Sequence, residues 1–421
     1  MIRNFLCSLP IALAIASLGC PLLSAADASL SWKVIPLAVD ANEGIDIADF
    51  DGDGKLDICA GRFWYRNPEF RAQPVRSIDD FNGYIESNGD FAYDVNKDGK
   101  MDIIAGSFIP STVHWFENPG KEKLRLGQLW NKHLLVDTKA SQNEGQLMAD
   151  IDGDGIPEWL VNSWGKDTPF YVWSLSSTGP DGAPSLSKHV IGERGNGHGM
   201  GVGDITGDGH ADLLTGNGWY ENPGPPYFGK PWRYHKDWTV HGAVPMLVFD
   251  VNNDGKNDII YAAGHEYGLS WWENKGNKDG TVQFEHHEID KSISQQHALH
   301  LADLTGDGKP ELITGKRYFA HNGRDAGAKD PIEICYFVID TQRASFEKHT
   351  ISKGRIGIGL QIRTADINAD GKLDFNDFLL FVNAFDSTDP NYDLDADGMV
   401  GFGDFLRFVN AYEKGLITVR P

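Results

Sequence analysis

The sequence predicts a mainly β protein: a β-propeller of six full blades plus a partial seventh, followed by a small α-helical tail. Two observations predict the propeller. One acidic loop pattern recurs six times, at intervals of 45 to 56 residues, and a short apolar run and then an aromatic run follow most of these loops. Strand-rich repeats of about 50 residues are typical of propellers, in which each repeat is a four-stranded blade. A closed six-bladed ring is the alternative.

The six acidic loops share oxygen-bearing side chains at positions 1, 3, 5 and 9 and a glycine at position 6. A hard cation such as Ca²⁺ takes several oxygen ligands, and glycine permits the sharp turn around it. We therefore expect several calcium ions, one in each loop. The predicted ligands, from loop 1 to loop 6, are Asp49, Asp51, Asp53 and Asp57; Asp94, Asn96, Asp98 and Asp102; Asp150, Asp152, Asp154 and Glu158; Asp204, Thr206, Asp208 and Asp212; Asp250, Asn252, Asp254 and Asp258; and Asp303, Thr305, Asp307 and Glu311.

These loops differ from EF-hands at position 12. An EF-hand supplies a carboxylate there and has helices on both sides of the loop. Position 12 in the six loops is Ala60, Ala105, Val161, Thr215, Tyr261 and Thr314. The residues around it, such as LDICAG and MDIIAG, are short apolar runs that end near glycine, which is typical of a buried strand. We therefore predict six strand–loop–strand units.

The remaining strands of each blade are also visible. Aromatic runs such as RFWYRN and LSWWEN predict third strands, and runs with histidine such as WNKHLLVD and FEHHEID predict fourth strands. GIGLQIRTA at 357–365 predicts the inner strand of a seventh blade. SWKVIPLA at 31–38 predicts an outer strand that could close the ring.

The DFDGDGKLD-type loops and the WYENPG turn resemble FG-GAP/VCBS-type β-propeller repeats of secreted bacterial proteins. The resemblance covers about residues 30–366, and we place the propeller domain at 27–365. Propellers of this broad class occur in integrin heads, in some polysaccharide lyases and in aldos-2-ulose dehydratase. The resemblance therefore implies the fold and leaves the activity open.

Residues 366–415 combine two further acidic loops with helical patterns. Position 12 is Asp377 in one and Asp404 in the other, and the surrounding segments FNDFLLFVNAF and FGDFLRFVNAY are near copies. This tail resembles a dockerin-like EF-hand pair, which implies a cohesin-like partner. We expect its helices to pack rigidly against the partial seventh blade. Its expected calcium ligands are Asp366, Asn368, Asp370, Asp374, Asp377, Asp393, Asp395, Asp397 and Asp404.

Composition and the N-terminus indicate export. Residues 1–26 contain Arg3, an apolar run and small residues at the end, which predicts a signal peptide and a secreted, extracellular or periplasmic protein without a membrane span. The net charge of −22 argues against nucleic acid and anionic membranes as partners. Cys59 and Cys335 would remain after cleavage, either as buried thiols or as a disulfide.

A ligand site is predicted on the face opposite the acidic loops, which we call the central face. The start of each inner strand and the end of each second strand meet there, and polar residues are frequent at these positions. The catalytic candidates are His198, His265, His297, Arg62, Lys316 and Arg317, and the ligand-binding candidates are Trp164, Asn217, Tyr318 and His321. Histidine suits a general base, and arginine or lysine suits a carboxylate of an acidic sugar. The alternative is that these side chains fill the propeller centre.

Three functions compete at this point. The one narrowly favoured is a calcium-stiffened binding module that offers a polar central pocket to a glycan or a cell-surface protein. The second is a sugar-active enzyme, a polysaccharide lyase or a dehydratase similar to aldos-2-ulose dehydratase. The third is a scaffold or adhesin that docks a partner through its tail. Three or more histidines converging on one point would favour the enzyme and a transition metal, whereas scattered histidines would favour binding.

Overall fold

The computed structural model describes residues 30, 32, 34–38, 42–81, 84–85, 87–140, 144–161, 168–195, 197–317 and 323–367. The predicted signal peptide, the tail ligands from Asn368 onward, and the candidates Trp164, Tyr318 and His321 lie outside these residues. Residues 1–31 and 32–421 are separate compact units. The blades described here all belong to the second unit.

Six four-stranded antiparallel sheets follow one another along the chain, so the six predicted blades are confirmed. Blades one to three consist of β1 (Asp46–Ala48), β2 (Asp57–Ala60), β3 (Phe63–Arg66) and β4 (Arg71–Pro74); β7 (Gly89–Tyr93), β8 (Asp102–Gly106), β9 (Thr112–Glu117) and β10 (Asn131–Asp137); and β11 (Gln146–Ala149), β12 (Glu158–Val161), β13 (Phe170–Ser176) and β14 (Ser185–Gly192). Blades four to six consist of β15 (Met200–Gly203), β16 (Asp212–Thr215), β17 (Gly218–Glu221) and β18 (Arg233–His235); β19 (Leu247–Phe249), β20 (Asp258–Ala262), β21 (Tyr267–Lys278) and β22 (Thr281–Ser294); and β23 (His300–Ala302), β24 (Glu311–Gly315), β25 (Glu333–Asp340) and β26 (Ser345–Lys353).

Two small elements interrupt this order. A two-stranded sheet of β5 (Asp80–Phe81) and β6 (Tyr84–Ile85) lies between blades one and two in the chain, and α1 (Lys121–Leu124) lies between β9 and β10. Within the described part of the chain, no helix is both long enough and apolar enough to cross a membrane.

The hydrophobic core lies between adjacent blades. Between blades one and two, for example, Phe50 and Trp64 pack with Ile103, Phe116 and Trp130, all of them buried. The alternation of each strand points one set of side chains at the preceding sheet and the other set at the following sheet. This explains why the second strands are mainly apolar after their first, acidic residue, because both of their faces are covered.

The acidic loops have one shared geometry. The position-6 glycine has a positive φ of 82° to 88° in all six loops, a conformation that other residues rarely adopt. The position-1 aspartate accepts the N–H of that glycine; in loop 1 the distance from Gly54 N to Asp49 Oδ2 is 2.8 Å. The position-9 carboxylate is buried and accepts the N–H of position 2, as Asp57 Oδ2 does from Phe50 at 3.1 Å. Burial and the neighbouring acidic groups raise the pKa of Asp57 to about 7, although backbone hydrogen bonds oppose the rise.

The fourth-strand histidines that the sequence repeats have a structural role. In blades two, four and five the imidazole stacks on a third-strand tryptophan, and its Nε2 lies 2.6 to 3.0 Å from a glutamate at the end of that strand. The three sets are Trp115, His133 and Glu117; Trp219, His235 and Glu221; and Trp271, His287 and Glu273. These histidines therefore brace single blades and take no part in the central face.

An asparagine after the third strand links a blade to the loop of the blade before it. Asn118 Nδ2 donates to the carbonyl of Phe50, position 2 of loop 1, at 2.8 Å and to that of Met101 at 2.9 Å. The equivalent pairs are Asn222 with Ile151 and Asn274 with Ile205. The asparagine of each WYEN-like run is therefore a blade-linking residue.

We expect Asn118→Ala to lower the free energy of unfolding by about 1–3 kcal/mol, because the buried Phe50 carbonyl loses its donor and the Met101 carbonyl loses a second hydrogen bond. Chemical denaturation of the calcium-loaded protein measures this change. Asn217→Ala is the matched control, since Asn217 is exposed on the turn between β16 and β17. Equal losses in the two variants would contradict the linking role.

The predicted seventh blade is present only as one extended segment. Asn67 of blade one donates to the Ile367 carbonyl at 2.8 Å, and Ile367 is position 2 of the loop that begins at Asp366. This bond is equivalent to the one between Asn118 of blade two and Phe50 of loop 1. Residues 360–363 line an axial cavity of about 390 Å³ together with residues of several inner strands. Residues 357–365 nevertheless form no strand, and their one backbone pairing is a bridge between Ile358 and Arg317. This segment occupies the position of an inner strand without pairing as one.

The outer strand predicted at 31–38 is absent from residues 32 and 34–38, and that prediction is wrong for these residues. Pro36 has no N–H to donate to a strand ladder. Trp32 instead contacts Tyr336 of blade six, with 5.8 Å between ring centres, and Leu37 packs beside Ile367. This segment therefore contributes apolar packing next to the incomplete seventh blade.

Cys59 in β2 and Cys335 in β25 are free and buried. Burial raises the pKa of both thiols. The structure thus decides between the two alternatives in favour of buried thiols.

Candidate metal centre on the central face

Three histidines from consecutive blades meet on the central face. His198 immediately precedes β15 of blade four, His265 follows β20 of blade five, and His297 precedes β23 of blade six. One ring nitrogen from each lies within 4.8 Å of those of the other two. His198 Nε2 and His265 Nε2 are 3.0 Å apart. Ligand nitrogens about 2.1 Å from a shared metal ion are separated by roughly this distance or a little more.

The outer nitrogen of each ring faces an oxygen that can accept its hydrogen bond. His198 Nδ1 lies 2.5 Å from the Gly242 carbonyl oxygen, and His297 Nδ1 lies 3.2 Å from the Gln295 carbonyl oxygen. A carbonyl oxygen can only accept, so these Nδ1 atoms carry the protons. A neutral ring protonated at Nδ1 has a lone pair at Nε2, and the Nε2 lone pairs therefore point inward.

The Nδ1 atom of His265 likewise faces a hydrogen-bond acceptor, in this case a carboxylate. Its Nδ1 lies 2.9 Å from Asp325 Oδ2, which belongs to the segment 323–331 after β24. Metal-binding histidines commonly donate their second N–H to a carboxylate or a backbone carbonyl, which fixes the ring and raises its basicity. The three outer partners here are two carbonyls and one carboxylate, as is common around metal-binding histidines.

His297 is the most buried of the three, at 1% exposed. Burial, followed by the positive charge of Arg317, lowers its pKa well below the usual value, so the ring is neutral. Its Nε2 is buried and has no hydrogen-bond partner. A buried polar atom without a partner lowers stability by about 1–3 kcal/mol. A ligand bound to this nitrogen would remove that penalty.

Glu144 adds a carboxylate to the cluster. It precedes β11 of blade three, and its Oε2 lies 3.5 Å from His198 Nε2. Burial favours the protonated acid, but the contact with His198 and the charge of Arg317 outweigh it and hold the pKa of Glu144 well below its usual value. Glu144 is therefore an anion beside the three imidazoles.

Arg317 fixes that carboxylate in place. Its Nη1 lies 3.2 Å from Glu144 Oε1, and its Nη2 pairs with Glu43 of blade one. Asn88 Nδ2 donates to the other oxygen of Glu43 at 3.1 Å. Two carboxylates thus surround one buried guanidinium, and the network connects blades one, three and six across the central face.

The fold also leaves room beside the histidines. A Cβ atom on Gly264 would lie 2.7 Å from His198 Cε1 and 3.3 Å from His297 Nε2. The glycine at this position therefore keeps a side chain away from the converging nitrogens. Together with the unpartnered Nε2 of His297, this space shows that the residues fit a bound ion.

The structure separates the predicted site residues into two groups. His198, His265, His297 and Arg317 come together. Lys316 is buried and donates to Gln295 Oε1 at 2.8 Å, so it supports the loop before His297. Arg62 donates to the Ile78 carbonyl at 3.1 Å, and Asn217 is exposed on the turn between β16 and β17. The described residues that line the axial cavity include Gln146 and Leu360 but no member of this cluster.

Two participants were missing from the predicted site. Glu144 stands six residues before loop 3, as His198 and His297 do before loops 4 and 6, so this spacing places it on the central face although it is not among the predicted site residues. Asp325 lies in the long segment after β24, and no pattern distinguishes it from its neighbours. Its partner His265 is 60 residues away.

Comparison with known proteins gives the repeat class. Residues 94–161, 150–215 and 250–314 match the model of the FG-GAP-like repeat. The chain is therefore a six-bladed β-propeller that contains FG-GAP-like repeats. No curated protein matches its sequence.

Two solved structures illustrate what the chain is similar to. The V. cholerae biofilm matrix protein Bap1 is 16% identical with a TM-score of 0.35, covering 76% of this chain and 42% of Bap1. A putative oxidoreductase (glucose dehydrogenase) of Thermus thermophilus is 11% identical with a TM-score of 0.34, covering 70% of this chain and 96% of that one. The chain spans less than half the length of Bap1.

Proposed function

We propose that the protein is a metal-dependent, sugar-active enzyme with a transition-metal centre on the central face of a calcium-stiffened propeller. The observation that carries the proposal is the convergence of the Nε2 atoms of His198, His265 and His297. Because their Nδ1 atoms face oxygen acceptors, the three Nε2 lone pairs are directed at one another, and a metal ion between them would bind all three. Converging histidines favour the enzyme over the binding module that the sequence narrowly favoured.

The ligand set supports a divalent transition metal such as zinc, manganese or iron. Imidazole nitrogens suit these ions, whereas calcium prefers oxygen ligands of the kind found in the acidic loops. Glu144 Oε2 offers a fourth, anionic ligand. The histidine site therefore suits a transition metal, and the acidic loops suit calcium.

The chain's own residues then have distinct roles. A divalent ion in this site would polarise an oxygen atom of the bound sugar and activate water. The histidines orient the ion, and their Nδ1 contacts keep the rings in place. Since the low pKa of Glu144 makes it a weak base at neutral pH, it acts as a charged ligand that Arg317 positions. Arg317 itself is neutralised by Glu43 and Glu144 and does not bind a substrate carboxylate.

The proposal also includes calcium in the acidic loops, export of the protein and a carbohydrate substrate. Loops 1 and 3 each bring three carboxylate oxygens within 4.8 Å of one another, from Asp49, Asp51 and Asp53 and from Asp150, Asp152 and Glu158. The resemblance to repeats of secreted proteins and of sugar-active lyases supports an exported enzyme that acts on a carbohydrate.

Metal analysis of the purified protein tests the centre. We expect about one equivalent of a transition metal per chain by plasma mass spectrometry, in addition to calcium. Treatment with 1,10-phenanthroline should remove this metal and leave the calcium, because nitrogen chelators prefer transition metals. Activity on a panel of polysaccharides and oligosaccharides should then disappear and return with zinc, manganese or iron.

Two results would overturn parts of this proposal. Protein that takes up no transition metal under any condition would show that a proton, shared between His198 and His265, holds the cluster together. A bound metal without turnover on the panel, but with retention of a glycan, would make the protein a metal-containing binding module.

Gly264→Ala is a probe of the same site that removes no ligand. Its methyl group would crowd His198 and His297, and we expect metal affinity to fall roughly tenfold or more, as for other changes next to a ligand. Isothermal titration with zinc measures this. Gly359→Ala is the control, since a Cβ there makes ordinary contacts of 3.5 Å and more. Unchanged affinity in Gly264→Ala would place the metal elsewhere.

A further inference from the structure

A small basic pocket lies between blades one and two, apart from the histidine cluster. Its walls include Arg76, which follows β4, Ser107, which follows β8, His114 of β9 and Lys132 of β10. The cavity volume is about 20 Å³, which is room for one occupant the size of a water molecule. None of its described lining residues is acidic.

Arg76 is an incompletely paired buried cation. Its side chain is 3% exposed, and its Nη2 lies 2.6 Å from Asp90 Oδ1 and 2.9 Å from Ser87 Oγ. Its Nε and Nη1 are buried and have no hydrogen-bond partner. Three of the five guanidinium N–H groups are therefore unused. The Phe116 ring, 4.8 Å from Arg76 Cζ, stabilises the charge but cannot accept three separate hydrogen bonds.

Ser107 provides a second unused donor. It is 5% exposed, and its Oγ is buried without a partner. Ser107 on blade two and Arg76 on blade one both line this pocket. Two independent polar groups without partners in one cavity indicate a missing acceptor.

The charge of the pocket is positive. Asp90 balances Arg76, and Lys132 adds one further positive charge at the mouth. Burial, and then the charges of Lys132 and Arg76, lower the pKa of His114 to about 4, so this ring is neutral. An anion is therefore favoured over water, because water would need acceptors as well as donors.

We propose that this pocket binds a monatomic anion, chloride, between Arg76 and Ser107. Chloride accepts several hydrogen bonds at once and, unlike water, has no hydrogen atoms that need acceptors. Its single atom suits the small volume, whereas a phosphate or sulfate exceeds it. A bound chloride would join blades one and two, next to the packing of Phe116 and Trp64. This site is independent of the proposed enzyme function.

The test is ³⁵Cl NMR on the purified, calcium-loaded protein, with gluconate as the other anion. Bound chloride in exchange broadens the signal, and bromide should remove the excess broadening by competition. We expect Ser107→Ala to weaken chloride binding roughly tenfold, since it loses a hydrogen bond to a charged partner. Lys132→Gln should weaken it as well. Lys123→Gln, which removes an exposed charge elsewhere, should have no effect.

Circular dichroism on each variant shows that it is folded, and neither Ser107 nor Lys132 is needed for the blade core. Broadening that is the same in wild type, Ser107→Ala and Lys132→Gln would overturn the proposal. Broadening that bromide does not reduce would also overturn it, as would an absence of excess broadening in the wild-type protein.

Discussion

His297→Ala will remove the transition metal from the central face and abolish turnover, while the propeller remains folded. His297 contributes the buried Nε2 that has no other partner, so the variant loses one of three imidazole ligands. Changes next to a ligand already cost 10–100-fold in metal affinity, and loss of a ligand should cost at least about 100-fold. Metal content, zinc titration and activity on the carbohydrate panel measure the effect.

His297→Gln keeps most of the side-chain volume and separates loss of the imidazole from loss of packing. We expect it to behave like His297→Ala in metal binding. His286→Ala is the matched control, because His286 is an exposed histidine on β22. If His297→Ala keeps full metal content and turnover, the cluster is not the active centre. If His286→Ala loses both, the assay reports general damage.

Removal of calcium will lower the stability of the whole propeller steeply. A site that is absent from the unfolded chain adds about 2.7 kcal/mol to stability when free calcium is 100 times its dissociation constant. Six such sites compare with a total stability of roughly 5–15 kcal/mol for a typical domain. We therefore expect the chelated protein to melt far below the calcium-loaded protein or to be unfolded at room temperature. Thermal unfolding in EGTA, followed by return of calcium or magnesium, measures this.

Asp152→Ala tests one loop at a time. Asp152 lies within 4.8 Å of the carboxylate oxygens of Asp150 and Glu158, so the variant should bind one calcium ion fewer and melt earlier. Asp181→Ala removes an equal charge from an exposed turn outside the loops and should change neither quantity. A melting temperature that is the same with and without EGTA would overturn calcium binding in all six loops.

The sequence by itself determined the blades and the loops. The DFDGDGKLD pattern specifies its own turn, because the position-6 glycine must adopt a positive φ and the position-1 aspartate accepts its N–H. The runs after each loop are apolar on both faces, as buried strands must be. These features depend on residues a few positions apart, so they can be predicted from the sequence without knowledge of the fold.

Only the tertiary structure decided the site and the seventh blade. His198 and His265 are 67 residues apart in the chain, and their contact depends on how consecutive blades pack around the axis. Glu144 and Arg317 are 173 residues apart, and they meet for the same reason. Residues 357–365 have the pattern of a strand but pair only at Ile358, because the described chain offers them no second strand of a seventh blade. Proximity across a ring follows from packing between blades, which no local pattern of residues encodes.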